Sequence, residues 1–222
     1  MGLVQYSFNP SRITEEGRAQ IDALLQVTLA EGYVSLYRYG TMSMAEYAVD
    51  VDGIAINEVV LIDAGRRRYT LTQQGTTYCG CRRSEFVGVT YDKGAELRTR
   101  DPAFAGTRLR YEVRRRAPSL TVENWVKFGS DDNPFNYFFP VPRVSLRSLV
   151  GKARAEKIRN FGLREVYQNR SARNSLCNEL RECEYEWADP DLLYSNFRSH
   201  LISSYRPLEL EVAENCVVNL EG

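Results

Sequence analysis

Residues 33–63, Tyr-Val-Ser-Leu-Tyr-Arg-Tyr-Gly-Thr-Met-Ser-Met-Ala-Glu-Tyr-Ala-Val-Asp-Val-Asp-Gly-Ile-Ala-Ile-Asn-Glu-Val-Val-Leu-Ile-Asp, carry the reading that decides the fold. The period of the apolar residues here is two, the residues are β-branched or aromatic, and Gly interrupts the runs. Tyr33 to Tyr39 therefore reads as a strand, Glu46 to Val51 as a second that closes at Asp52-Gly53, and Ile54 to Asp63 as a third that stops at Ala64-Gly65. Successive strands of this kind pair antiparallel.

The same rhythm continues through Arg68 to Thr72, Glu85 to Tyr91, Arg108 to Arg114, Ser119 to Phe128 and Asn136 to Val141. Turns rich in Gly, Pro and Asp divide them. About eight short strands at this spacing predict a mainly β protein, an antiparallel sandwich of jelly-roll type. Ahead of them, Ile21, Leu24, Leu25, Thr28 and Leu29 recur at helical spacing after Thr14-Glu15-Glu16 and before Gly32, which predicts a helix over 11–31. Its apolar residues Ile21, Leu24, Leu25 and Leu29 form a candidate contact with another copy, or else a part of the chain's own core. Leu3 to Phe8 reads as an arm or edge strand.

After residue 142 the period returns to 3.6. Ser145 to Phe161 and Asn174 to Trp187 read as helices, a third opens at Asp189-Pro190-Asp191 and runs to Ile202, and Leu208 to Val212 and Cys216 to Leu220 read as closing strands. No linker or repeat divides the chain, so one domain over 1–222 is expected.

Composition narrows the function. Twenty-nine basic residues balance twenty-nine acidic ones in 222 residues, which removes general attraction to nucleic acid or anionic membrane and suits a chain that packs against itself. No stretch reaches the length of a membrane span and the first residues lack a signal-peptide layout, so a cytosolic location is expected. Cys79, Cys81, Cys177, Cys183 and Cys216 fit neither a disulfide framework nor a zinc site. Of the basic residues, 25 are Arg and four are Lys, so the cations keep their charge in alkali, although a compositional bias of the genome produces the same count.

Catalytic groupings are sparse. His200, the single histidine, sits in a predicted helix and reads as a structural side chain. Ser148-Leu149-Val150-Gly151-Lys152-Ala153 resembles the second half-motif of GIY-YIG endonucleases, and Leu201 to Leu208 their terminal segment. Arg198 stands where that family places its metal-binding Glu, and Leu149 replaces the key tyrosine, so the parts for metal-assisted cleavage are incomplete. The runs Arg66-Arg67-Arg68, Arg82-Arg83 and Arg114-Arg115-Arg116 would alternate across strands, either converging on a nucleotide phosphate or pairing with Asp and Glu.

A second resemblance spans more of the chain. The amphipathic N-terminal helix, the segment Tyr33 to Tyr39, Tyr137-Phe138-Phe139-Pro140-Val141-Pro142, and Ser199-His200-Leu201-Ile202-Ser203-Ser204-Tyr205-Arg206-Pro207-Leu208-Glu209-Leu210 follow the order found in cypovirus polyhedrins. The resemblance implies a trimeric jelly-roll unit with a projecting N-terminal helix that packs into crystalline occlusion bodies around virus particles in the host cytoplasm and dissolves in alkali. It implies no enzyme activity, no required cofactor and no membrane partner. Nucleotides are held between subunits in some relatives, but no motif carries those contacts over. Phenols and thiols supply the expected alkaline switch, with Tyr33, Tyr37 and Tyr39 its candidate residues.

Overall fold

The structure is a computed structural model that describes residues 14–28, 36, 38–63, 69–71, 75–81, 83–116, 120–128 and 133–205. They belong to two compact units, one made of Met44–Pro118 with Asp132–Tyr194, the other of Met1–Ser43, Ser119–Asp131 and Ser195–Gly222. The secondary structure is mixed α/β rather than mainly β, with two antiparallel sheets that do not close into a barrel.

In the first of these units, β1 (Met44–Asp52), β6 (Arg108–Arg116), β5 (Phe86–Asp92), β4 (Thr77–Cys79) and β3 (Tyr69–Leu71) form a five-stranded sheet in that order. Strand β6 shows why. Leu109, Tyr111 and Val113 alternate with Arg108, Arg110 and Glu112, so one face is wholly buried and the other charged. Across from it, Ala45 and Tyr47 of β1 turn to the same buried face.

Strands β2 (Val59–Asp63) and β7 (Phe138–Pro142) make a separate two-stranded sheet. The expected neighbour pairing of consecutive strands fails at this point, because β2 leaves β1 to pair with a strand about 80 residues later. Both β2 and β7 are continuous apolar runs, and a strand with no polar face needs cover on both sides. Phe138 faces the large sheet: its ring lies over Gly88 of β5, and its carbonyl accepts a 2.7 Å hydrogen bond from the Tyr111 hydroxyl. Val60, Ile62, Phe139 and Val141 face the other way, into a cluster with Leu146, Ile158, Leu176 and Leu180.

Those last residues come from the helices α4 (Arg143–Val150), α5 (Lys152–Phe161) and α7 (Arg170–Arg181), and α6 (Leu163–Val166) adds Leu163 to the same cluster. The expected single helix over 145–161 is two, split at Gly151, whose φ of 80° is open to glycine and strained for other residues. Gly162, at φ 85°, ends α5 in the same way. The helix expected from 174 to 187 begins earlier, at Arg170, because Asn169 caps it by accepting from the amides of Ser171 and Ala172, and it ends at Arg181. The helix α2 (Lys93–Arg100), unforeseen in sequence, starts where Asp92 accepts from the amide of Ala95 at 2.8 Å.

Two expected strands are helical. Ser119 to Phe128 contains α3 (Val122–Phe128), because the Thr121 hydroxyl accepts from the Asn124 amide and Trp125 is buried one turn on. Within 33–39, Leu36, Arg38 and Tyr39 are helical, with the Gly40 amide donating to the Leu36 carbonyl at 2.8 Å. The N-terminal helix forms as α1 (Glu15–Thr28), and the third C-terminal helix as α8 (Pro190–Tyr205). The expected arm at 3–8 and the closing strands at 208–212 and 216–220 lie outside the described residues.

The contact of Tyr111 and Gly88 with Phe138 yields a direct test. Tyr111→Phe leaves a buried carbonyl without its donor, which costs about 1–3 kcal/mol. Gly88→Ala places a Cβ 2.6 Å from the Phe138 ring, an overpacking worth about 1–3 kcal/mol. Urea midpoints of both variants should fall with unchanged slope, and the double variant should be non-additive because both changes act on one residue, Phe138. Two variants each within 0.5 kcal/mol of the parent, roughly the noise for a surface change, would remove this contact from the core.

Candidate functional site

The charged face of the five-stranded sheet is the densest polar feature. Register places Asp52 opposite Arg108, Asp50 opposite Arg110 and Glu46 opposite Arg114. Arg108 donates to Asp52 at 2.6 and 3.1 Å, and Arg110 grips Asp50 at 2.5 and 2.6 Å, both in the bidentate geometry that guanidinium and carboxylate favour. Arg114 bonds Glu112 and lies 3.2 Å from Glu46. Burial pushes the Glu112 carboxyl upward against the pull of Arg114, while the hydrogen bonds that Arg110 donates to Asp50 hold Arg110 even more firmly protonated than a free guanidinium.

Of the Arg runs, two members of the run 114–116 have their partners within the chain. Arg114 and Arg115 point to opposite faces: Arg114 joins the ladder, and Arg115 lies over the Phe86 ring and 3.7 Å from Glu85. Their charge is used within the chain. Arg83 is exposed, and Arg66 to Arg68 and Arg82 lie outside the described residues.

Two further nodes sit nearby in sequence terms. Lys93 is buried, with its ammonium 2.7 Å from Glu96, which also meets Arg100 at 2.9 Å. Glu156 of α5 collects Arg143 at 2.5 Å, Arg147 at 2.7 Å and Arg159 at 3.7 Å. Hydrogen bonds from Arg143 and Arg147 hold its carboxyl down to about 2. Glu184, after α7, is the opposite case, since burial lifts it to about 7.

Residues singled out for chemistry fall on different elements. Ser148 to Ala153 forms the α4–α5 junction, with Leu149 and Lys152 exposed, and Arg198 and His200 lie on α8. Among the described residues no group of three or more His, Cys, Asp or Glu is placed to hold a metal ion, and no helix is long and apolar enough to cross a membrane.

The apolar face of α1 is more informative. Around the helix, exposure rises from Leu25 at 1%, through half-buried Ile21, to Leu24 at 59% and Val27 at 85%. At 100° per residue these four span one continuous arc of about 160°, wider than a surface helix needs to cover its own core. Of the four expected contact residues, Leu25 is thus consumed inside the chain, Leu24 is open, and Leu29 lies outside the described residues. Val27 is the contact candidate that spacing alone passed over, although its place three residues after Leu24 was the available signal.

The phenols divide in the same way. Tyr39 is 70% exposed, and Tyr33 and Tyr37 lie outside the described residues. Burial instead raises the phenols of Tyr91, Tyr111 and Tyr185 and the thiol of Cys177. No protein-family model matches the chain, and no curated protein matches it at a significant level.

These four groups make the subunit itself alkali-sensitive. Each holds its proton to a higher pH folded than unfolded, so above the unfolded values of about 8.5 for Cys and about 10 for Tyr the unfolded chain binds fewer protons, and stability falls as pH rises. Denaturation midpoints should fall slightly from pH 7 to 8, as folded Glu184 finishes losing its proton, and decline steadily above about pH 9. Tyr91→Phe with Tyr185→Phe should flatten that decline. A midpoint that is unchanged from pH 8 to 11.5 would show that these groups titrate alike in both states.

Proposed function

We propose that this chain is a structural protein that assembles with copies of itself. The observation that carries the reading is the split face of α1, where Leu25 closes the chain's own interior while Leu24 and Val27 remain open to solvent. An exposed apolar arc continuous with a buried one is the signature of a surface that a partner completes. Zero net charge supports it, because copies approach without long-range repulsion. So does the Arg ladder, which consumes cations that a polyanion-binding protein would leave free.

The fuller form of this reading follows the resemblance to cypovirus polyhedrins: jelly-roll-like packing of the sheets, three copies around an axis, and trimers stacked into the crystalline matrix of occlusion bodies that enclose virus particles in the host cytoplasm. Release in alkali fits it. The phenols of buried Tyr111 and of partly covered Tyr91 and Tyr185, which burial raises, weaken each subunit as pH rises through the phenol range.

Leu24→Asp with Val27→Asp tests the reading. Both positions are exposed, so the isolated subunit should keep its stability within about 0.5 kcal/mol. If burial of each side chain contributes about 1.5–3 kcal/mol to assembly, its half-assembly concentration should rise at least tenfold, roughly the effect of 1.4 kcal/mol. Sedimentation and diffraction from expressing cells are the measurements. Assembly equal to the parent would clear α1 of this role, and a monodisperse parent that nicks DNA in Mg²⁺ would replace the reading with the endonuclease one.

A further inference from the structure

The even charge of the whole chain hides a strong local asymmetry. Between residues 143 and 173 stand nine basic residues (seven Arg with Lys152 and Lys157) and two acidic ones, Glu156 and Glu165, a net charge of +7. Between 179 and 191 stand Glu179, Glu182, Glu184, Glu186, Asp189 and Asp191 against Arg181 alone, a net charge of −5. Both stretches belong to the same compact unit.

Part of the basic stretch is used within the chain, where Arg143, Arg147 and Arg159 meet Glu156, but four of its cations are placed otherwise. Lys152 and Arg154 open α5 and Arg170 opens α7, the helix ends at which the macrodipole disfavours cations, and neither first turn contains an acidic residue. Lys152, Arg154, Lys157 and Arg170 are exposed and form no ion pair with the described residues, in contrast to the matched ladder on the sheet. Glu182, Glu186, Asp189 and Asp191 are likewise exposed and form no ion pair with the described residues.

Each stretch also carries an exposed apolar residue, at the end of α5 or of the acidic segment. Arg154, Lys157 and Phe161 follow one another at i, i+3 and i+7 along α5, beside the stripe of Ala155 and Ile158 that is buried, and Phe161 is exposed. In the acidic segment, Leu192 is exposed directly after Asp191. Apolar contact beside charged contact is the general anatomy of a protein interface.

We infer that the Arg154–Lys157–Phe161 stripe of one copy docks head to tail on the acidic edge of a second copy, with Phe161 meeting Leu192 beside opposite charges. The occupant is another copy because its charge complement is present in the chain itself. A nucleic acid is disfavoured, since the acidic edge follows the basic stretch within the same unit and the chain has no net positive charge to attract a polyanion. The contact joins two different surfaces, so it propagates from copy to copy rather than closing a pair. It rests on the self-assembly reading and supplies that reading with a second contact, separate from α1.

Charge reversal tests it in the full-length protein. Arg154→Glu with Lys157→Glu reverses the basic stripe, and Glu182→Lys with Glu186→Lys reverses the acidic edge. Each variant alone should need at least about tenfold more protein for half-assembly than the parent, because like charges meet across the contact. An equimolar mixture of the two should regain the parental value, since every contact between unlike copies is again complementary. Unchanged thermal unfolding of each variant verifies that the subunit is intact. Parental assembly by both variants, or a mixture no better than its components, would overturn the docking and leave self-assembly standing. A parent that stays monomeric at every concentration removes the self-assembly reading and this inference together. Loss of binding to a labelled single-stranded RNA by the basic-stripe variant, with its assembly intact, would assign the stripe to nucleic acid instead.

Discussion

One glycine and one hydroxyl hold the two sheets together. Gly88 lacks the Cβ that would strike the Phe138 ring, and Tyr111 donates its buried hydroxyl to the carbonyl of the same residue. A side chain at residue 88 would lift β7 from the large sheet, and β7 is the strand on whose far face Phe139 and Val141 gather the helices. The paired strands β2 and β7 are therefore a middle layer, apolar on both faces, with a sheet on one side and helices on the other. Glu156 fastens the helical layer at its edge by drawing Arg143 and Arg147 from α4 onto α5.

Charge is handled in two different ways in the same unit. On the sheet, cross-strand register matches Arg108, Arg110 and Arg114 to Asp52, Asp50 and Glu46, so these three cations are balanced where they stand. On the helices, cations and anions are separated along the chain, and their fields remain available to other molecules. A single net charge of zero conceals both arrangements. Arg serves the first especially well, because its planar fork can satisfy both carboxylate oxygens while remaining charged in alkali.

Alkaline sensitivity is distributed rather than confined to a contact patch. Tyr111 ends its phenol in the interior, and Tyr91 and Tyr185 are partly covered, so the pH response begins within the subunit. A protein held in an assembly by neighbours and weakened internally by the same protons would come apart by both routes at once.

The order of residues by itself determined the local elements wherever one period was unbroken and a cap agreed with it. The alternation of Leu109, Tyr111 and Val113 made β6, the spacing of Leu24 and Leu25 made α1, and Asp189-Pro190 opened α8. Where period and cap disagreed, the cap prevailed: Thr121 turned a strand-like stretch into α3, and Gly151 cut one helical pattern into two. What only the tertiary structure decided was partnership. That β2 pairs with β7, that Arg110 grips Asp50 and that Leu25 is enclosed while Leu24 is open all depend on residues remote in sequence. Periodicity tells which side of an element is apolar, but it contains no information about what lies on that side.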